Sequence, residues 1–596
     1  MFKHSTLKPR SERQLEDWIA PDCQGLNFFE IDQSLQDLMQ LYLPEDLRQH
    51  MEPLYRQLGE VAGTKLDELA RMSDKRTPIL HHRDPRGRDE EWVEYHPAYR
   101  EMEKIAYEDF GIHCMSHRPG VHGWPEKVPA MAKYIFTYLF TQSEFGLMCP
   151  ISMTDTSYGL LAKHGPKEFL ETYGQKMLSQ DMDELLTGAQ FMTEKVGGSE
   201  VANLTVTARH EDGQWRLYGD KWFCSNIGAG VTLVLARPEG APEGNSGLAI
   251  FAVPRTLEDG SRNKYRTVRL KDKMGTKSMP SGETIFEGAV GYPFGDVGAK
   301  PNRGLRQMMD QVVMSRLSHG VRAAGMMRRC LNEALVAANG REVFGGAVIE
   351  KPLMRRQLLK LMVPTEQSLS MFMNVAVKLH QSNQGDEEAA KLNRILTPLL
   401  KFRTCRDNVE VAGGALEVKG GVGFIEDWVN PRLVRDAYTG LLWEGTSNIN
   451  ALDITGRAIA KSRAHDNLAD DLKNRVAEAD RLPGQFAGEL TGLIQRSHDF
   501  AEEIADSNNE TLSRQASNAL YHATTATYLA EEGARLGAMG RDARRLLLSR
   551  LVVDSKLKPK DPLGHTETAF EVEAGNRLLD NQPVPISEAT DLLRLS

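Results

Sequence analysis

The 596-residue chain has no long apolar run, and none of its hydrophobic stretches approaches the roughly 18 residues that a membrane span requires. The segment from Met1 to Ser5 lacks the apolar region of a secretory signal. Only six cysteines occur, and none forms a C-x-x-C pair, which argues against a disulfide framework or a cysteine-based zinc site. These absences predict a soluble cytoplasmic protein with reduced thiols.

The chain also lacks internal repeats, low-complexity tracts and an excess of basic charge. It has 73 Lys and Arg against 82 Asp and Glu, a net charge of −9, which gives no general reason to expect a polyanionic partner. His81, His82 and the histidines from His96 to His122 lack metal-binding spacing, such as two histidines four residues apart on a helix. We therefore expect no metal site.

The composition is typical of a large globular protein, with 41% hydrophobic and 26% charged residues. From about Ile31 to Leu185 the apolar spacing is mostly helical, and a polar segment between residues 74 and 87 is expected to be a surface excursion. This pattern predicts an N-terminal helical domain over residues 1–187.

The helical spacing of apolar residues ends at about Gly188. Short buried-type runs such as Val231–Leu235 and Leu248–Val253 alternate with glycine and proline, which predicts a small β-barrel or sandwich over residues 188–300. Helical periodicity then returns with Leu305, Met308 and Val312 on one face. We expect a helical bundle over 301–462 and a helical C-terminal extension over 463–596.

Two segments carry the chemistry. Met192–Glu200 is small, polar and glycine-rich, and its backbone and hydroxyl groups suit a bound flavin. Leu442–Asn448 puts the Glu444 carboxylate beside Trp443 and Leu442. Loss of solvation there should raise the pKa of Glu444 and make it a stronger proton-abstracting base.

The motifs, in their order, resemble those of the acyl-CoA dehydrogenase family over roughly residues 100 to 460. The matching elements are Met192-Thr193-Glu194 with Gly198-Ser199, Gly219–Asn226, Arg341–Gly345, Glu417–Phe424, Arg435-Asp436 and Glu444-Gly445-Thr446. The long N-terminal region and the pairs Trp222-Phe223 and Trp443-Glu444 resemble the AidB-like, alkylation-response branch. The resemblance implies a mostly α protein with a small central β domain and a helical C-terminal extension.

The resemblance also implies a reaction. An FAD-dependent acyl-CoA dehydrogenase converts an acyl-CoA thioester to the trans-2-enoyl-CoA, with the flavin N5 accepting the hydride. Glu444 takes the role of the base, and its backbone N–H, together with a flavin ribityl hydroxyl, would hold the thioester oxygen. Ser315 stands where branched-chain relatives carry their base, which leaves Glu444 as the candidate. The family further implies a homotetramer and an electron-transferring flavoprotein as partner.

The resemblance assigns roles to residues in both motif groups. Substrate contacts fall to Ser199, Arg316 and Gly445. The FAD contacts that the resemblance implies form three groups. The first motif and its following strand contribute Met192, Thr193, Gly198, Ser199, Phe223 and Ser225. The residues that would reach the adenosine and pyrophosphate of a neighbouring subunit's FAD are Arg341, Phe344, Glu417 and Gly421, and the two residues after the base are Thr446 and Asn448. Phe223 and Ser225 replace a Trp and a Thr of the family pattern, and Glu417 replaces a Gln.

Two alternatives remain open at this point. Acyl-CoA oxidases share a C-terminal helical extension, so the residue pattern does not separate them from dehydrogenases. An AidB-like flavoprotein could instead bind DNA, but the residues from Arg463 onward hold 16 Lys and Arg against 22 Asp and Glu. The local basic run there is more typical of a solvated face than of a DNA site: Arg541, Arg544, Arg545, Arg550, Lys556, Lys558 and Lys560.

Overall fold

Helices dominate the computed structural model, which describes residues 10–566, 568–580 and 582–594; the segment from Met1 to Ser5 lies outside them. In chain order the α-helices are α1 Gln33–Tyr42, α2 Glu45–Val61, α3 Asp67–Lys75, α4 Pro97–Glu103, α5 Ala130–Thr141, α6 Met148–His164, α7 Lys167–Phe169, α8 Gln175–Met177, α9 Gly304–Gly340, α10 Pro352–Asn383, α11 Glu387–Lys419, α12 Asn430–Leu442, α13 Ser447–Asp453, α14 Ala464–Glu478, α15 Gly484–Asp506, α16 Ser513–Ala538, α17 Arg544–Val552, α18 Ala569–Leu579 and α19 Ile586–Arg594. In the described part of the chain, every helix is too short or too polar to cross a membrane.

The strands mostly fall in the region predicted to be β. They are β1 Ile79–His81, β2 Trp92–Glu94, β3 Gly188–Phe191, β4 Thr207–Glu211, β5 Gln214–Ser225, β6 Val231–Pro238, β7 Ala249–Pro254, β8 Tyr265–Leu270, β9 Ser281–Pro293, β10 Glu342–Val343 and β11 Gly346–Ala347. The predicted fold class, mostly α with a small central β domain, is confirmed.

Two compact units make up the chain. The helical unit comprises Met1–Thr64, Ala130–Ser143 and His319–Ser596, and the barrel unit comprises Lys65–Pro129 and Glu144–Ser318. These units follow spatial contacts rather than chain order, and the four predicted domain segments remain a sequence-based division.

The barrel unit is built on a seven-stranded sheet. β4 pairs with β5, β5 with β9, β9 with β7, β7 with β6, and β6 with β4, so these five strands close on themselves. β3 adds to β6 in parallel and β8 to β9 in antiparallel fashion. Asp212 and Gly213, both with positive φ, form the two-residue turn between β4 and β5, as is usual for tight hairpins.

Strand β6 shows why the buried-type runs are continuous rather than alternating. Val234 and Ala236 contribute to the apolar core inside the sheet. Val231, Leu233 and Leu235 point to the opposite face and pack with residues of α6 and the start of α9. Because successive side chains alternate between faces and both faces are covered, the strand has a continuous apolar run from Leu233 to Ala236.

The polar segment expected as a surface excursion, residues 74–87, contains the first strand of a small hairpin, and the second strand follows it. β1 pairs with β2 in antiparallel register, and the ring of His81 stacks on that of Trp92 with centroids 4.3 Å apart. Each strand has only three residues, which is too short for a period of two to stand out in the sequence.

In the helical unit, the long helices α10 and α11 pack on each other, and α14 to α19 form the C-terminal part. A buried ion network ties these parts together. Arg545 on α17 donates to Glu366 on α10 and to Glu532 on α16, at 2.8 Å each. Arg328 on α9 pairs with Glu366 at 2.5 Å and with Asp32 at 3.2 Å. The sequence pattern predicted these helices, but not the charges that join them.

Candidate active site

The first motif forms a loop directly after β3, and β5 holds it. The backbone N–H of Trp222 donates to the carbonyl of Thr193 at 2.9 Å. A Cβ on Gly198 would lie 3.2 Å from the Thr193 side chain, so only glycine allows this close approach without a shift. The structure therefore brings Met192, Thr193 and Gly198 together, and leaves Gly198 and Ser199 exposed.

A buried ion pair fixes this loop, and the sequence analysis missed it. Lys221 on β5 donates to Glu194 at 2.8 Å and to the carbonyl of Met192 at 3.1 Å. Glu194 also accepts hydrogen bonds from the N–H of Thr205 at 2.6 Å, its hydroxyl at 2.7 Å and the N–H of Val206 at 3.1 Å. The side chains of Lys221 and Glu194 are 0% and 2% exposed, so their charges depend on each other.

The pKa values of the two partners reflect this environment. Burial raises the pKa of Glu194, but the Lys221 ammonium and the Thr205 donors outweigh it, so that pKa lies below its usual value. Burial lowers the pKa of Lys221, and Glu194 only partly opposes that shift. Glu194 accepts hydrogen bonds from four donors, whereas Lys221 has one charged partner. The charged form of Glu194 is therefore better stabilised than the charged form of Lys221.

An irregularity in β5 presents two aromatic rings. Lys221 faces Thr284 on β9 and Cys224 faces Gly282, so Trp222 and Phe223 share a single opposing residue, which is a β-bulge. The Phe223 ring is 54% exposed, and the ammonium of Lys271 lies 3.4 Å from the centre of the Trp222 ring. The exposed Phe223 ring, carried on a strand paired with β9, is available to stack on a ligand.

The next residues along β5 differ in accessibility. The Ser225 hydroxyl is half-buried and lies 3.2 Å from that of Ser281. Cys224 is buried, and burial raises the pKa of its thiol to about 12, as expected for a structural cysteine. Arg316, assigned to the substrate, is buried on α9 together with Ser315.

Glu444 lies in the helical unit, in the short link between α12 and α13. Its φ is +55° and that of Gly445 is +93°, so two successive residues adopt the left-handed conformation. This conformation costs a non-glycine residue roughly 1–2 kcal/mol. Such strain at a half-buried carboxylate is typical of functional sites, where the surroundings hold a residue in an unfavourable conformation.

Buried groups on three helices hold this link. The Lys401 ammonium on α11 donates to the carbonyl of Gly445 at 2.6 Å, and the Asn450 amide on α13 donates to the same oxygen at 2.7 Å. The Trp443 ring meets His319 of α9 edge to face, with centroids 5.5 Å apart. These contacts fix the backbone on both sides of Glu444, so the direction in which its side chain leaves the chain is constrained.

The second group of predicted cofactor residues also lies in the helical unit. Arg341 donates to the carbonyl of Lys419 at 2.8 Å, which joins the Arg341–Gly345 motif to the Glu417–Phe424 motif. Phe344 forms the tip of the β10–β11 hairpin with φ +48°. Glu417 is exposed and accepts a hydrogen bond from Gln357 at 3.1 Å. Thr446 and Asn448 are both exposed at the start of α13.

Several positions assigned to FAD are open. A Cβ on Gly421 would meet no atom within 4 Å, and Gly198, Ser199, Thr446 and Asn448 all face solvent. Large apolar side chains near the second group are exposed as well: Phe344 98%, Phe424 79%, Leu442 66%, Ile425 45% and Tyr438 43%. Open glycines, hydroxyl donors and uncovered aromatic rings fit a dinucleotide and a partner surface.

The C-terminal basic run is largely neutralised. Arg545 and Arg550 are buried and bonded to acidic residues, and Lys558 lies 2.6 Å from Glu489. Arg544 pairs with Asp542 and Arg541 with Asp37. Five of the seven cations therefore have carboxylate partners within the chain, so less positive charge is left to bind the phosphates of DNA.

Three family models match the chain in order. The N-terminal domain of the adaptive response protein AidB matches residues 19–184, the acyl-CoA dehydrogenase middle domain matches 189–289, and the acyl-CoA dehydrogenase C-terminal domain matches 302–459. The three matches follow one another with short gaps.

Individual proteins show the same likeness. Putative acyl-CoA dehydrogenase AidB of Escherichia coli is 33% identical over 75% of this chain and 81% of its own length. Acyl-CoA dehydrogenase family member 11 of Caenorhabditis elegans is 30% identical over 72% of this chain and 70% of its own. The crystal structure of C. elegans ACDH-11 in complex with C11-CoA has a TM-score of 0.80, with 24% identity over 98% of this chain and 96% of that one.

Proposed function

The chain belongs to the acyl-CoA dehydrogenase family of oxidoreductases, and from that premise we propose that it performs FAD-dependent α,β-dehydrogenation of an acyl-CoA thioester. The product would be the trans-2-enoyl-CoA. The observation that carries the proposal is the half-buried Glu444, held in a left-handed conformation by the groups that fix Gly445.

Glu444 would take the proton from the α carbon of the thioester. A catalytic base has to be held in a defined position, because a misplacement of about 1 Å can cost on the order of 100-fold in rate. Lys401, Asn450 and the Trp443–His319 contact supply that positioning. The N–H of Glu444 would donate to the thioester oxygen, where negative charge develops. The raised pKa expected for Glu444 remains a prediction.

The open residues described above would hold the cofactor. Thr193 and Ser199 would donate to it, Gly198 would allow its close approach, and the exposed Phe223 ring would stack on it. When bound, FAD supplies the acceptor for the hydride from the β carbon. Arg341, Phe344, Glu417 and Gly421 would contact the FAD of a neighbouring subunit. Thr446 and Asn448, just after the base, would bind phosphate or ribityl groups. Arg316 would position the substrate.

The assembly and partners are also part of the proposal. The family implies a homotetramer, and the exposed apolar side chains around Phe344 and Phe424 fit burial at a subunit contact, since a monomer would leave them in water. An electron-transferring flavoprotein is the proposed acceptor of the electrons. The six cysteines are all free and buried, which fits a reducing cytoplasm.

The test is an anaerobic titration of the purified yellow protein with acyl-CoA thioesters of increasing chain length, followed by the bleaching of the flavin absorbance. We expect at least one thioester to bleach it. Failure of every thioester in a broad panel would remove the dehydrogenase proposal.

Two variants separate the base from the backbone that carries it. Glu444→Gln keeps the size of the side chain, and Glu444→Asn tolerates the left-handed conformation well. Both are expected to retain FAD and to lose reduction by the thioester. Reduction at the wild-type rate in either variant would take Glu444 out of the mechanism.

The alternatives predict different behaviour. The reduced flavin of an acyl-CoA oxidase would be reoxidised by oxygen, whereas that of a dehydrogenase would be reoxidised by an electron-transferring flavoprotein. A DNA-binding flavoprotein would bind duplex DNA with an affinity that falls steeply between two salt concentrations, which the paired C-terminal cations argue against.

A further inference from the structure

Two histidines and their acidic neighbours form a cluster between α14 and α15, in the C-terminal part of the helical unit. One ligand atom each from His465, His498 and Glu502 can be chosen so that all lie within 4.8 Å of one another. The two imidazole rings are nearly parallel, with centroids 4.6 Å apart. His498 and Glu502 are four residues apart on α15 and share one face of that helix.

His465 shows that the cluster is more than ordinary packing. Its side chain is 0% exposed, and neither ring nitrogen has a hydrogen-bond partner among the described residues. The nearest carboxylate oxygens to its Nε2 are those of Asp466 at 3.6 Å and Glu502 at 3.9 Å. Burial lowers the pKa of His465. A buried polar group without a partner calls for an explanation.

His498 has the arrangement of a metal ligand held by a second residue. Its Nδ1 lies 3.0 Å from a carboxylate oxygen of Asp499, and its Nε2 lies 2.8 Å from Asp466. Metal-bound histidines usually donate their other N–H to a carboxylate in this way.

The charges and distances also favour a divalent cation. Asp466, Asp499 and Glu502 contribute three negative charges, and Arg463, which pairs with Asp466 at 2.9 Å and with Glu502 at 2.5 Å, contributes one positive charge. With both histidines neutral, the cluster has a net charge of −2. A tetrahedral site with bonds of about 2.1 Å has ligand atoms about 3.4 Å apart. The carboxylate oxygens of Asp466 and Glu502 lie close to that separation from Nε2 of His465, at 3.6 Å and 3.9 Å.

We propose that His465, His498, Asp466 and Glu502 bind one divalent first-row transition metal ion, with zinc as the expected occupant. Two imidazole nitrogens and two carboxylate oxygens suit zinc, and four protein ligands make a closed, structural site. The ion would join the start of α14 to α15 and satisfy the buried ring of His465. The sequence-based expectation of no metal site rested on histidines before residue 123, and it missed the helical spacing of His498 and Glu502.

The test is calorimetric titration of the FAD-loaded protein with ZnCl2, after dialysis against a chelator. We expect one ion per chain and a rise in Tm on binding. CoCl2 should give the intense visible absorption of tetrahedral cobalt.

The variants decide between this site and surface binding. His465→Ala and Glu502→Gln should each abolish stoichiometric binding and the rise in Tm, whereas the exposed His565 replaced by Ala should leave both unchanged. Glu502 is only partly buried, so Glu502→Gln remains informative if His465→Ala does not fold. Absence of binding to the wild-type protein, or equal binding to Glu502→Gln, would overturn the proposal.

Discussion

Breaking the buried pair between Lys221 and Glu194 should destabilise the barrel unit and loosen the Met192–Ser199 loop. Lys221→Met removes the ammonium but leaves Glu194 with the three neutral donors of Thr205 and Val206. Glu194→Gln leaves the Lys221 ammonium buried, with the Met192 carbonyl as its remaining acceptor beside a neutral amide. The second variant should therefore be the more damaging.

The size of the effect follows from burial. Removing one member of a fully buried ion pair costs about 3–5 kcal/mol. We expect a loss of about 3 kcal/mol for Lys221→Met and about 5 kcal/mol for Glu194→Gln, because three donors still bond to the carboxylate, whereas the ammonium keeps one carbonyl acceptor. At about 2–4 °C per kcal/mol for a domain of roughly 150–250 residues, Tm should fall by roughly 6–12 °C and 10–20 °C.

Thermal unfolding followed by circular dichroism measures these shifts, and flavin absorbance measures the retained FAD. The matched control is Lys195→Met, because Lys195 pairs with Asp220 at 3.2 Å on the same loop but at the surface, where both side chains are largely exposed. An exposed pair contributes less than about 1 kcal/mol. A fall in Tm below about 2 °C for Lys221→Met, or a fall equal to that of Lys195→Met, would refute the reasoning.

Three further predictions concern the cofactor loop, acid stability and assembly. Gly198→Ala should lower the FAD content, since its methyl group would lie 3.2 Å from Thr193; Gly298→Ala, where a Cβ meets nothing within 4 Å, is the control. Although burial opposes it, Arg328 and Arg545 hold the pKa of Glu366 to about 2, against a usual 4.5. The ionised carboxylate therefore contributes about 3 kcal/mol to the free energy of unfolding above pH 4.5, and this contribution is lost as the pH falls towards 2. In urea titrations, the difference in unfolding free energy between wild type and Glu366→Gln should therefore become smaller at acid pH. Phe344→Asp should reduce the mass measured by light scattering, whereas Leu563→Asp, equally exposed, should not.

Much of the architecture could be read from local patterns. Period-two alternation and buried-type runs predicted the strands around β6 and β7, and helical spacing predicted the long helices α9 to α11. These signals are local, because the two faces of a strand or helix are set by neighbouring residues. The three-residue strands of the β1–β2 hairpin were too short to give such a signal.

Only those residues of the candidate site that lie in recognisable motifs could be predicted from the sequence. Met192, Gly198, Arg341 and Glu444 stand in recognisable segments, and the structure places Thr193 against Gly198 and Arg341 against the chain after Glu417. The left-handed backbone of Glu444 could not be inferred, because glutamate has no preference for it and distant groups on α11 and α13 impose it.

The sequence by itself determined the order of helical and β segments, the motif residues and the acidic balance of the C-terminal region. Tertiary structure alone decided which charges meet. Lys221 reaches Glu194 across 27 residues, Arg545 reaches Glu366 across 179, and His498 stacks on a buried His465. The reason is physical: a hydrophobic pattern is repeated along the chain, whereas the energy of a buried charge depends on partners that only the folded chain brings within hydrogen-bonding distance.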